Sequence, residues 1–201
     1  MADKSAKARI GLVCLVAGIV LIATSLSIAG YNWWDEARAG RSARAAMETL
    51  TQSIAEESAR QIDVDFYREM EMPVKTIDGV EYIGVLRIPA LELELPIISR
   101  WSDSAMKIAP CRYSGSAYQN NLILCGHNYT THFGKLDLLQ TGDTVCFEDA
   151  EGNEFSYQVS ATDVLPGTAV EEMQAGEWDL TLFTCTWSGT SRLCIRCEAV
   201  A

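Results

Sequence analysis

Histidine is almost missing from this chain. His127 and His132 are the whole supply in 201 residues, so chemistry that needs an imidazole has only two places to reside. Basic residues are short as well, 16 Lys and Arg against 27 Asp and Glu. The shortage is uneven. Residues 1–30 hold Lys4, Lys7 and Arg9 against Asp3, while the rest holds 13 basic against 26 acidic residues, a net of −13. A body that acidic is repelled by phosphate backbones, which excludes nucleic acid as a partner. Internal repeats and low-complexity tracts are absent too. With 48% hydrophobic residues the chain can bury a core, so a disordered polymer is excluded. The length leaves room for one ordinary domain and an appendage.

Charge is wholly absent from Ile10 to Gly30, a run of 21 residues closed by Trp33 and Trp34. As a helix this run is ~31 Å long, enough to cross a hydrocarbon core of ~30 Å. The tryptophan pair suits the membrane interface. A cleaved signal peptide has a shorter apolar region and a small-x-small site, for which Ser27-Ile28-Ala29 is passable. Length favours an uncleaved transmembrane anchor over residues 10–34, with residues 1–9 as a cytoplasmic N-terminus. Orientation is tied by basic counts, because Lys4, Lys7 and Arg9 are matched by Arg38, Arg41 and Arg44.

The seven cysteines are Cys14, Cys111, Cys125, Cys146, Cys185, Cys194 and Cys197. Six lie outside the apolar run, enough for three bridges, yet their spacing gives no tight framework. Cys194 and Cys197 have the spacing of a zinc half-site, with Cys125 and His127 as a poor other half. In a strand, 194 and 197 point to opposite faces, which argues against shared ligation. Small buried thiols are the default reading, and no metal is expected.

Residues 35–75 read as a helical stalk or linker. From Asp35 to about Glu71 the segment is rich in Ala, Arg, Glu and Met, and Ala46, Leu50, Ile54 and Ala55 make a narrow stripe at helical spacing. Such a stripe predicts a stalk that lies against the following domain, with Met72-Pro73 ending it. From residue 76 to 201 the texture is short strands. Strands are predicted at Glu81–Ile88, Leu91–Leu95, Leu122–Cys125, Val145–Phe147, Phe155–Val159, Leu180–Thr184 and Leu193–Val200. Short helical pieces fall near Ser102–Ile108, His132–Leu139 and Thr168–Ala175. The expected fold is mainly β, a closed barrel or sandwich of seven or eight strands.

Chemistry can gather at strand ends. His127 leaves an apolar strand through Cys125-Gly126, Cys185 ends another, and Arg192 opens the last. A thiol, an imidazole and a guanidinium there supply a nucleophile, an acid/base and an oxyanion partner. At these residues the chain resembles a known family. Leu180-Thr181-Leu182-Phe183-Thr184-Cys185 resembles the TLxTC motif of the sortases, the cysteine transpeptidases of the Gram-positive surface. Leu124-Cys125-Gly126-His127-Asn128 resembles their histidine strand, and Ser191-Arg192-Leu193-Cys194-Ile195-Arg196 their arginine strand. Tyr82 to Pro89 and Leu95-Pro96-Ile97 look like the first two barrel strands, and Gly142-Asp143 like the turn after the histidine.

The resemblance implies a sortase-like closed barrel and a set of roles. Cys185 is the expected nucleophile, His127 the acid/base and Arg192 the oxyanion-side donor. Arg196 competes for the arginine role, since residues four apart share a strand face. Proximity to the loop after Cys185 favours Arg192 and leaves Arg196 as a barrel-surface residue; His132 reads as a loop residue. Thr184, Leu165, Val170 and Trp187 are expected in the substrate groove, walled by the loop from Pro166 to Trp178. Glu171-Glu172 resembles part of a calcium site of some members but reads more simply as a solvated face. No cofactor is expected.

The implied partners are secreted proteins with an LPXTG-like C-terminal sorting signal and a peptidoglycan-precursor amine, with the membrane engaged through residues 10–34. The catalytic domain is expected outside a single-pass anchor, in a class B-like or class D-like enzyme. With no second apolar span after the barrel, anchoring is expected rather than pilus polymerisation. A silent binding barrel and a related thiol hydrolase are the other function classes.

Overall fold

The computed structural model describes residues 2–57 and 71–200. The chain divides into two units, Met1–Arg38 and Ala39–Ala201. A single helix, α1 (Ala2–Glu57), starts in the first unit and ends in the second. In the first unit its apolar side chains face outward, with Leu21 and Leu26 both 68% exposed. The hydroxyls of Thr24, Ser25 and Ser27 donate to carbonyls one turn back, at 2.8 to 2.9 Å. Polar groups satisfied within the helix and a mean hydropathy of 2.0 over its most apolar window make it long and apolar enough to cross a membrane. Residues 58–70, over which the stalk helix was expected to continue, lie outside the described residues, and Glu71 and Met72, where it was expected to end, are not helical.

The second unit is a closed barrel. Its strands are β1 (Lys75–Ile77), β2 (Val80–Ile88), β3 (Leu93–Ile98), β4 (Cys111–Ser114), β5 (Leu122–Cys125), β6 (Thr144–Asp149), β7 (Glu154–Pro166), β8 (Leu180–Cys185) and β9 (Ser191–Ala199). They are joined in the order β2-β3-β4-β5-β8-β9-β7-β6, and β6 pairs back onto β2, so eight strands form the ring. β1 is a short hairpin partner of β2 outside it. Closure requires a glycine. Gly84 has φ +152, and a Cβ there would sit 2.0 Å from the Glu148 carbonyl oxygen of β6.

Strand alternation sorts the apolar residues into two clusters. Leu86, Leu122, Leu124, Phe147, Leu182 and Ile195 fill the barrel interior. On the outer face of β2–β5, Tyr82, Val85, Ile98, Cys111 and Cys125 pack under Ala43, Ala46, Leu50 and Ile54 of α1. Of the stripe read from the sequence, Ala46, Leu50 and Ile54 lie against the barrel while Ala55, one residue round the helix from Ile54, is exposed. Lys75 adds a 2.7 Å bond from its ammonium to the Ser53 carbonyl. β5 pairs in parallel with β8 and is buried on both faces, which explains its unbroken apolar run.

Short helices fill the connections, α2 (Asp103–Met106) and α3 (Val170–Gln174) among them. Where a helical piece was expected at His132–Leu139, turns lead into a 3-10 turn at Leu136–Leu138. The strand expected at Leu91–Leu95 begins two residues later. Pro89–Leu91 forms a 3-10 turn and Glu92 takes the left-handed conformation at φ 51, so the first alternating residues are spent on the turn.

Candidate active site

Two backbone groups fix where His127 leaves its strand. The Gly126 N–H donates to the Phe183 carbonyl at 3.2 Å, and the Gly126 carbonyl accepts from the Thr184 hydroxyl at 2.9 Å. Thr184 is buried at 4% exposure and directly precedes Cys185, so one side-chain bond ties the residue before the histidine to the residue before the thiol. Gly126 must be small: a Cβ would come within 2.9 Å of the Phe133 ring. Beyond it the chain curls back, the Phe133 N–H bonding the His127 carbonyl at 3.1 Å. Tyr129 lies between the two histidine rings, 4.8 Å from His127 and 5.4 Å from His132.

The arginine comes from the neighbouring strand. In the antiparallel β8–β9 register Cys185 stands opposite Arg192, and Thr181 opposite Arg196. Register separates what parity could not, because both arginines lie on the outer face of β9. Arg192 Nη1 donates to the carbonyls of Gly189 and Ser191 at 3.2 and 3.1 Å, which holds the guanidinium at the end of the strand. Cys185, His127 and Arg192 line one cavity of about 240 Å³. Its polar lining includes the thiol, imidazole and guanidinium. Its apolar lining is Trp101, Met106, Tyr113 and Phe183 together with Ala169, Val170 and Met173 of the β7–β8 connection. Trp101, Tyr113 and Phe183 form an edge-to-face series with centroids 6.1 and 5.3 Å apart.

Of the expected groove residues, Thr184 and Val170 line this cavity, as do Pro166 and Gly167 of the expected wall. Leu165 and Trp187 do not. Leu165 pairs with Arg192 in the β7–β9 ladder yet is not part of the lining, and Trp187 is 88% exposed on the β8–β9 turn. One further expectation is corrected. Arg196 is not a barrel-surface residue: it is 2% exposed, because the β7–β8 connection folds over it. His132 lies in the turns after β5, as a loop residue, and is fully buried there. The aromatic lining went unread because Trp101 lies in the connection after β3 and Tyr113 on a four-residue strand that is only partly buried. Placement of Trp101 and Met106 on either side of a short helix start was the available signal.

The cysteines are all free thiols. Cys197 points into the barrel core and Cys194 to the outer face. Among the described residues no group of three His, Cys, Asp or Glu side chains is arranged to hold a metal ion. Glu171 and Glu172 are exposed on α3. A thiol, an imidazole and a guanidinium around an apolar-walled cavity can together attack a carbonyl, stabilise the resulting oxyanion and protonate a leaving group.

The fold is that of the sortases. Clostridium perfringens sortase D5 has a TM-score of 0.60 at 15% identity, covering 78% of this chain and 99% of that one. Streptococcus agalactiae sortase C1 has 0.58 at 18% identity, covering 78% and 97%. Clostridium perfringens sortase C, solved with the C-terminal cell wall sorting motif, has 0.53 at 21% identity, covering 78% and 90%. The family model of the Sortase domain matches residues 86–200, more than half of the sequence. The chain belongs to the sortase family, whose members are generally cysteine transpeptidases. It is also 27% identical to Sortase A of Bacillus anthracis over 121 residues, 57% of this chain and 57% of the length of that relative.

Proposed function

We propose that this chain is a membrane-anchored cysteine transpeptidase that cleaves an LPXTG-like sorting signal and joins the released protein to a cell-wall precursor amine. The observation that carries the reading is the β8–β9 register, which opposes Cys185 and Arg192 beside the His127 strand on one cavity. The Cys185 thiolate adds to the carbonyl carbon of the amide before the glycine. The C=O electron pair moves onto oxygen, where Arg192 and a backbone N–H donate to it. Collapse breaks the C–N bond as the His127 imidazolium gives its proton to the departing amine, leaving a thioester and a neutral imidazole. The acceptor amine then attacks the thioester, passes its proton to His127 and displaces the Cys185 thiolate, so the catalyst is restored.

Apolar walls suit the leucine and proline of such a signal, and the similar sortase C was solved with the C-terminal cell wall sorting motif. The test is transfer. With an LPETG-containing peptide and a primary amine, the wild type yields the peptide–amine product and Cys185→Ala yields none. Product from Cys185→Ala contradicts the assignment. Release of free acid at one rate, whatever the amine, identifies a hydrolase, and no reaction in the wild type identifies a silent barrel.

The same reading puts residues 10–34 across the membrane as a single-pass anchor and the barrel outside. Protease shaving of intact cells releases fragments from beyond Trp34 if this holds. Protection of the whole barrel contradicts it.

A further inference from the structure

We propose that Arg196 is a positioning residue: its buried guanidinium holds helix α3 against the barrel and so sets the affinity and selectivity of the cavity for the entering peptide. The substrate side of this inference rests on the transpeptidase reading; the hold on α3 does not.

A long cation at 2% exposure is rare unless its donors are spent, and here they are. Arg196 Nε bonds the Asp163 carboxylate on β7 at 3.1 Å. Nη1 donates to the Met173 carbonyl at 2.6 Å and to the Thr181 hydroxyl on β8 at 3.1 Å, and Nη2 to the Glu172 carbonyl at 2.9 Å. One planar group therefore joins β7, β8, β9 and α3. The two carbonyls belong to the last turn of a five-residue helix, where no intrahelical N–H can reach them, and the N-terminal end has no side-chain cap either. With so little internal bonding, α3 depends on the guanidinium for its place. A cation at a helix C-terminus also complements the peptide dipoles.

What α3 presents to the cavity gives that hold its consequence. Val170 and Met173 of α3 line the same cavity as Trp101 and Tyr113, so the shape of the cavity follows the position of α3. Arg192 lies on the same strand face four residues earlier, with its bonds made to the β8–β9 turn instead. The two arginines divide the face: one at the thiol, one behind the wall. Lysine cannot replace Arg196, because a single ammonium cannot span three elements with a planar fork of donors.

The test uses the full chain in detergent with an LPETG-containing peptide and an otherwise identical peptide bearing a changed leucine. Single-turnover acylation of Cys185 across peptide concentrations is combined with hydrogen exchange at the amides of residues 170–175. Arg196→Lys raises the half-saturating concentration about 10- to 100-fold, the scale of a lost charge-assisted hydrogen bond, and leaves the limiting rate within roughly threefold. It narrows the preference between the two peptides and speeds exchange at 170–175, while β8 and β9 stay as protected as in the wild type. Arg192→Lys does the reverse, lowering the limiting rate ~10²–10³-fold with exchange at 170–175 unchanged. Asp163→Asn, the milder variant should Arg196→Lys fail to fold, moves exchange and half-saturation in the Arg196→Lys direction. Wild-type exchange at 170–175, or a fall in limiting rate alone, in the variant that folds overturns the proposal. If the wild type acylates no peptide, the transpeptidase reading fails, and the exchange comparison still decides whether Arg196 holds α3.

Discussion

Burial silences four of the six thiols outside the apolar span. It pushes Cys111 and Cys197 up to about 12 and raises Cys125 and Cys194 as well, because a thiolate is costly where water cannot reach it. Cys185 and Cys146 are only half-buried. The sign follows directly. The native state holds the neutral thiol, so the stability this burial contributes is fully present below the ordinary value of 9.0 and is lost as pH rises through about 12 for Cys111 and Cys197. At neutral pH these thiols are poor nucleophiles. Iodoacetamide at pH 7.5 is therefore expected to label Cys185 and Cys146 while sparing the other four, read by peptide mass mapping. Labelling of Cys111 or Cys197 as fast as Cys185 contradicts this. The sequence motif pointed to Cys185 as the expected nucleophile, but it could not reveal that Arg196 is buried. Spacing along a strand reports a face, and burial of that face depends on a segment more than twenty residues away.

At the scale of elements, the site depends on how β5 meets β8. Their parallel pairing brings Cys125 opposite Phe183, and the Thr184 hydroxyl reaches across to the Gly126 carbonyl. Thr184→Val keeps the shape and removes that donor. The buried carbonyl left behind is expected to cost about 1–3 kcal/mol in urea unfolding. Acylation is expected to fall roughly 10- to 100-fold as His127 loses its register with Cys185. Wild-type acylation with the same loss of stability would show that the clamp serves the fold alone.

The apolar strands β5 and β8 were legible because burial on both faces leaves continuous runs. β4 was not: it is as short as β5, but its Arg112 and Tyr113 are only partly buried, so no apolar run marks it. β7 runs to 13 residues, well past the expected Val159, because its outer half alternates with exposed residues in a ladder against β9. The helical stripe at Ala46, Leu50 and Ile54 was readable, since packing against a barrel needs one narrow apolar face.

At the scale of the whole molecule, sequence texture separated an apolar helix from an acidic β body, and the barrel's strand count of seven or eight brackets the eight observed. Closure of β6 onto β2 was beyond local reading. It depends on strands some sixty residues apart and on Gly84, which looks like any other glycine in a strand. The resemblance covered the stretch that carries the site, and the family match from 86 to 200 spans the same stretch. The central claim is that this barrel forms a thioester through Cys185. Its most direct test is intact-mass and peptide mapping of the full chain quenched in acid after brief exposure to an LPETG-containing peptide. The account predicts one added LPET-acyl group, located on Cys185, stable in acid and released by hydroxylamine. An acyl group on any other residue, or no adduct while the peptide is still consumed, would contradict it.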